Sequence, residues 1–389
     1  MPFRVRVRVG LWLGFSLLAF GAVQAARADL PAGTDELVGA LRQDHAVPGI
    51  ALAYIEDGKV AYKKAYGFAK LESQTLLGEN TVMYGASLTK FVFAAYVMDL
   101  VAEGKIELDT PIGDLLPKPL PEYEDYSDLD GDERWRKLTL RHLLSHTTGF
   151  PNYRFFPPEG GFDKDGKLRF YFEPGARYGY SGEGYYIAQL VVEEVLGLDT
   201  ATELERRFFT PLGMERTSLT WQDHFKDNYA HGYTREGENK RHNMQSNVRA
   251  AGSMDTTLRD FSAFVAAFMG GKLVGAGAQK AMLAPGLAIS SRHQFPTLDA
   301  AVHDANTDVG LAAAVGAVTW VGPQGRGFFK GGHNEKTDNI LVCLEVGRRC
   351  VLLLSNTAKG DLIFPEIVDH VLGETGMPWG WEYTALGRE

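Results

Sequence analysis

YGASLTKFVFAAYVMDLVAEG, residues 84–104, decides how the rest of the chain is read. From Leu88 onward apolar residues fall on nearly every face of a helical projection, and Gly104 supplies the stop. A helix that is apolar all round is a buried one, so this segment is predicted to be the axle of a domain. Two polar side chains stand at its root. Ser87 and Lys90 are three apart, which puts them on one helix face with the amine within reach of the hydroxyl. Serine is a weak nucleophile until a base takes its proton. A lysine can serve as that base when burial and neighbouring cations lower its pKa. At a helix start, Ser87 also presents its backbone N–H to a developing oxyanion. With 13 Ser and 17 Lys in the chain the spacing alone is weak, and a capping serine beside a snorkelling lysine would read the same. Its position raises it: this Ser-x-x-Lys, which occurs once, opens the most apolar helix after the N-terminal leader.

Upstream of that helix, GTDELVGALRQDHA (33–46) reads as a helix with Thr34 as its cap. GIALAYIEDGKVAYKKAYGFA (49–69) reads as two strands joined at Asp57-Gly58, a favoured hairpin turn. Downstream come a short helix after Pro111, a capped helix over 139–149, and longer ones ending at Gly197 and Gly270. After about residue 312 the texture turns to strands, and an amphipathic helix over 363–372 follows. Strands at both ends with helices between predict an α+β fold: one antiparallel sheet from both termini, flanked by helices, with an inserted helical region. The sheet would use about 35–80 and 305–375, the helical region about 81–304, and the site would lie in the cleft between them.

Two further segments carry candidate chemistry. FEPGARYGYSGEGYYIAQLVVEEVLG (172–197) leads through Tyr180-Ser181-Gly182 into a helix. A tyrosine beside two lysines can hold a depressed pKa and act as base, then as acid, although a lone Tyr is more often a plain half-buried ring. GFFKGGHNEK (327–336) puts Lys330-Gly331-Gly332 on a strand. The glycines would let a substrate backbone lie against it, Lys330 would attract a carboxylate, and the N–H of His333 would be a second oxyanion donor. A Gly-rich strand kink is the plainer alternative.

These three motifs, in this order, resemble those of the serine β-lactamase/penicillin-binding-protein superfamily, nearest its class C β-lactamase, D-Ala-D-Ala carboxypeptidase and family VIII esterase branch. LTLRHLLSHTTGF (138–150), PLGMERTSL (211–219) and AGSMDTTLRDFSAF (251–264) are similar to hallmarks of the same family. The resemblance covers roughly residues 35–375 and implies a β-lactamase/transpeptidase-like fold. It implies Ser87 as the acylated nucleophile, Lys90 as its base partner, Tyr180 as deacylation base and proton carrier, and Lys330 as the carboxylate-facing residue. Which of Lys90 and Tyr180 takes the serine proton stays open. Two departures bear on substrate. Gly182 stands where the family's Tyr-x-Asn motif has its amide, and Gly331 stands where β-lactamases carry Thr. Both weaken a β-lactam reading more than a serine-hydrolase reading.

The 389 residues, 45% hydrophobic, are too apolar for a disordered chain, and a formal charge of −9 argues against a nucleic-acid surface. Residues 1–28 read as a secretory signal peptide: a head with Arg4, Arg6 and Arg8, the apolar run VGLWLGFSLLAFGAV, and small residues ending at Ala25 or Ala28. That run is short of the ~20 residues a membrane span needs, so secretion or periplasmic residence without stable membrane insertion is expected. Residues 29–389 then form the hydrolase domain. Cys343 and Cys350 flank LEVGRR, and they either pair across a hairpin at Gly347 or sit as two small buried side chains. No metal is called for: HLLSH (142–146) lacks the Glu of H-E-x-x-H, and DYSDLDGDER has Tyr126 and Lys137 at the wrong places for an EF-hand. The reading is an exported serine hydrolase acting through an acyl-enzyme, without metal or organic cofactor, on a small-molecule or short-peptide ester or amide. The alternative is a penicillin-recognising binding or sensor protein with little or no turnover.

Overall fold

Asp57 and Gly58 both take left-handed backbone angles, φ 50° and 71°, and turn strand β1 (Gly49–Glu56) into β2 (Lys59–Lys70) as the sequence predicts. Positive φ at both central residues is the backbone that the twist of a two-residue hairpin demands. The computed structural model describes residues 1–3, 30–158, 160–298 and 301–383, so the expected leader at 1–28 falls almost wholly outside the described residues. After β1 and β2 come β3 (Thr75–Leu76), β4 (Ala312–Ala313), β5 (Val318–Gly322), β6 (Gly325–Asn334), β7 (Thr337–Leu344) and β8 (Arg349–Ser355). They form one antiparallel sheet in the order β3-β2-β1-β8-β7-β6-β5-β4. The two ends of the chain meet at its centre, where Ala51 pairs with Leu354 and Leu52 with Leu353.

Both faces of this sheet are covered, which explains why β1 reads as a continuous apolar run. Ala51, Ala53, Leu341, Leu352 and Leu354 face one core, and Ile50, Leu52, Ile340, Val351 and Leu353 face another. The second core is closed by helix α1 (Thr34–Asp44) and by the helix Phe364–Leu372. Thr34 is not the cap of α1. It is the first helical residue, and its hydroxyl donates to the Pro31 carbonyl at 2.6 Å. Cys343 and Cys350 sit opposite each other on β7 and β8 and are disulfide-bonded.

The first core is built on helix α2 (Leu88–Ala102), in which Leu88–Met98 are all buried. Phe91 lies between helix and sheet: its ring stacks on Phe328 of β6 and meets Phe268 edge-on at 4.9 Å between centroids. Gly316 lets the β4–β5 turn close onto α2, since a side chain there would overlap Ala94. Helix α3 (Leu140–Leu144) is shorter than the sequence suggests. Thr139 caps it, but it ends at Ser145, and His146 has left-handed angles (φ 59°). His142 and His146 therefore do not share a helix face. Helix α4 (Gly182–Leu196) ends at Gly197 (φ 63°), and α5 (Leu258–Met269) turns Phe261, Phe264 and Phe268 into the core.

Candidate active site

The cleft between β6 and the helices has a volume of about 690 Å³, and Ser87, Tyr180 and Lys330 all line it. Ser87 precedes α2 and its side chain makes no capping bond, so the hydroxyl is free for the cleft. The residue before it, Ala86, holds φ 46°, a strained angle for a side chain other than glycine. Lys90 follows one turn later, with no exposure to solvent. Its Nζ lies 3.1 Å from Ser87 Oγ and donates to the Ala251 carbonyl at 2.5 Å. Burial first, and the charge of Lys330 second, hold Lys90 well below the usual lysine range. The capping alternative for this pair is thereby set aside.

Tyr180 is buried, and its ring stacks on that of His146 at 4.2 Å between centroids. His146 is held neutral by burial, and its Nδ1 accepts the Ser181 N–H at 3.0 Å, which fixes the second motif in place. Ser181 caps α4 by accepting the Gly184 N–H at 2.9 Å. The depressed phenol expected beside two lysines is not what this packing produces. Burial drives Tyr180 well above its ordinary value, outweighing a hydrogen bond to Ser87 that acts the other way. A desolvated phenolate costs more than the neighbouring amines return, because those amines are themselves pushed toward neutrality.

Lys330 stands on β6, 3.4 Å from the Tyr180 hydroxyl, and donates to the Gly331 carbonyl at 2.7 Å. Burial lowers it to about 8, with Glu382 opposing that shift. The two glycines that follow serve close packing of the protein itself. A Cβ on Gly332 would lie 2.8 Å from the Gly85 carbonyl and 2.9 Å from the Leu88 nitrogen, so this glycine seats β6 against the loop that carries Ser87. A Cβ on Gly331 would overlap the carboxylate of Glu382, which already fills the side-chain position there. His333 follows on the strand, paired with Asp338.

The structure also brings in residues that sequence reasoning passed over. Asn339, fully buried on β7, donates to the carbonyls of both Tyr84 and Gly332, tying the Ser87 loop to the strand. Asn152 lines the cleft and accepts the Gly182 N–H on its side-chain oxygen at 3.1 Å. The amide missing from the Tyr-x-Asn position is thus offered at that place by a different segment. Glu183, 3% exposed, pins the same loop by accepting from the backbone and side chain of Arg154. A Cβ at Gly182 would fall 2.8 Å from both the Asn152 carbonyl and the Tyr153 ring. Gly182→Asn is therefore expected to cost about 1–3 kcal/mol without creating cephalosporin turnover. Urea unfolding and a chromogenic cephalosporin check the two halves, and a stable Gly182→Asn protein that hydrolyses the cephalosporin would contradict them.

Comparison with known proteins places the chain in a family. The family model described as Beta-lactamase matches residues 34–367, and the chain belongs to that family. Relatives that it matches carry the names of a putative D-alanyl-D-alanine carboxypeptidase and an esterase. It is 31% identical over 187 residues to penicillin-binding protein 4 of Amycolatopsis lactamdurans, covering 46% of this chain and 46% of that protein. It is 30% identical over 196 residues to esterase EstB of Burkholderia gladioli, covering 45% and 47%. The matched segments thus span less than half the length of these curated relatives. Among solved structures, the D-alanine carboxypeptidase AmpC of Burkholderia cenocepacia shares the fold with a TM-score of 0.68 at 20% identity, covering 87% of this chain and 97% of that one.

Proposed function

We propose that the protein hydrolyses esters or amides of apolar acyl groups through an acyl-enzyme at Ser87. The observation that carries this reading is the Lys90 amine, wholly buried and 3.1 Å from the Ser87 hydroxyl. Lys90, held toward its neutral form, takes the serine proton as Oγ attacks the carbonyl carbon. The oxyanion sits against the N–H groups of Ser87 and His333. As the bond to the leaving group breaks, Tyr180, kept protonated by burial, gives that group a proton and recovers one from Lys90. Water then attacks the acyl-enzyme with the same groups in reverse, releasing the acid and restoring Ser87. Phe156, Pro157, Pro158, Phe295 and Pro296 line the cleft and supply apolar surface that suits the acyl group. The crowding at Gly182 and Gly331 supports an ester or peptide substrate over a β-lactam.

The test is a panel of a short-chain nitrophenyl ester, a fluorophosphonate, a fluorescent penicillin and a chromogenic cephalosporin, each with the wild-type protein and Ser87→Ala. Ester turnover and fluorophosphonate labelling that both vanish in Ser87→Ala are expected. Penicillin labelling without turnover of any substrate would favour the binding-protein reading, and no Ser87-dependent reaction with any probe would sink the enzyme reading. Export is part of the same proposal, supported by the leader-like residues 1–28 and the Cys343–Cys350 bond. Sequencing the secreted protein should find its N-terminus after Ala25 or Ala28, and a retained Met1 there would contradict cleavage.

A pH dependence follows from the two lysines. Lys90 must lose its proton, so kcat/KM rises with pH at a point well below the usual lysine range. Lys330 acts as a cation, so the rate falls as pH climbs through about 8 and its charge is lost. In Lys330→Arg the guanidinium stays charged, and the descending limb should move above about pH 10 even though the overall rate drops. A descending limb that stays near 8 in that variant would remove Lys330 from the profile.

A further inference from the structure

Glu382 comes from the far end of the chain, on the short helix Trp379–Glu382, and its carboxylate enters the cleft beside Lys330. It is 2% exposed. Oε2 accepts from the Gln294 side-chain amide, whose own oxygen accepts the Tyr178 hydroxyl at 2.8 Å. Oε1 is buried and has no hydrogen-bond partner. It lies 3.7 Å from His333 Nε2, and it occupies the space into which a side chain at position 331 would project. A buried carboxylate oxygen held only by this long contact to His333 is costly to keep, and such atoms in a native fold call for a function.

We propose that Glu382 is a specificity-determining residue, an anion built into the pocket that rejects carboxylate-bearing leaving groups and favours uncharged or cationic ones. This rests on the hydrolase reading above and names the substrate class of the same site. Lys330 by itself would attract a carboxylate. Its ammonium instead bonds the Gly331 carbonyl and the Tyr180 hydroxyl, and Glu382 adds a negative field on the same wall. The carboxyl of Asp338, pushed up to about 7 by burial, lies behind His333 and titrates to a second negative charge around neutrality. His333 is drawn toward its charged form: burial opposes this, but Glu382 and Asp338 outweigh it. An incoming carboxylate at position 331 would meet Oε1 at close range with no hydroxyl to bind it. An amide N–H can donate to Oε1 alongside the long His333 contact, and a quaternary ammonium is attracted by the carboxylate rather than repelled.

The test uses three thioesters of one acyl group, N-benzoylglycine, with mercaptoacetate, mercaptoacetamide and thiocholine as leaving thiols, read by release of free thiol. In the wild-type protein the mercaptoacetate ester should be at least about tenfold poorer in kcat/KM than the amide or thiocholine esters. Glu382→Gln removes the charge at nearly constant shape and should raise the anionic-to-neutral ratio by at least about tenfold. Equal loss on all three esters in Glu382→Gln would assign the residue to packing alone and overturn the proposal. So would a wild-type protein that handles the mercaptoacetate ester as well as the other two, a result that needs no variant to fold. Failure of all three thioesters to react in a Ser87-dependent way would instead bring down the hydrolase reading itself.

Discussion

Ser87→Ala is expected to reduce ester turnover by about 10⁴-fold or more while leaving the fold intact. The Ser87 hydroxyl is the atom that would form the acyl bond, and no other serine hydroxyl approaches the Lys90 amine among the described residues. Its loss should cost little stability, because the side chain makes no capping bond and is only partly buried. Lys90→Met serves as the companion measurement. It keeps the length of the side chain and removes the base, so about 10²–10⁴-fold of rate should go with the hydroxyl still present. The two variants separate nucleophile from base: fluorophosphonate should fail to label Ser87→Ala and label Lys90→Met slowly. Ordinary turnover in either variant would show that the chemistry resides elsewhere.

The largest stability effect should come from Phe91→Ala, at about 3–5 kcal/mol. Phe91 has no exposed surface, and its ring is held by Phe264, Phe268 and Phe328 at centroid distances of 4.9–6.3 Å. Removing it leaves a cavity between α2, α5 and β6 that three rigid aromatic neighbours cannot collapse to fill. Activity should fall as well, because α2 carries Lys90 and β6 carries Lys330, and the cavity loosens the packing that sets one against the other. Equilibrium urea unfolding checks the first expectation and kcat for a nitrophenyl ester the second. A loss under about 1 kcal/mol would mean that the ring is not part of a close-packed core.

Much of the fold is legible in the sequence because its signals are local. Asp57-Gly58 selects its turn from its own backbone angles, Gly104 and Gly197 end helices by taking positive φ, and the all-round apolar face of 88–102 announces burial. Ser87 and Lys90 are legible for the same reason, since three residues of helix bring them together. Tyr180 and Lys330 are harder. Each motif alone is ordinary, and only their order along the chain points to one site. Helix α3 is shorter than its sequence suggests, since TLRHLLSHTTG is apolar enough for a longer helix. It stops because His146 leaves the helix with left-handed angles, where its ring can stack on Tyr180 and accept the Ser181 N–H.

The sequence by itself therefore determined the class of fold, the closeness of Ser87 to Lys90 and the three motifs that line the cleft. Tertiary structure alone decided the state of the groups and what crowds the cleft around them. Whether Tyr180 is depressed or raised depends on desolvation, a sum over everything packed around the ring, and no spacing rule contains it. The two departures from the family pattern acquire a cause only in space: Asn152 and Tyr153 crowd Gly182, and Glu382 crowds Gly331. Nothing local marks the acid in WGWEY as a pocket residue. Its meaning comes from a contact between the end of the chain and a strand some fifty residues earlier, closed by the docking of the last described helix.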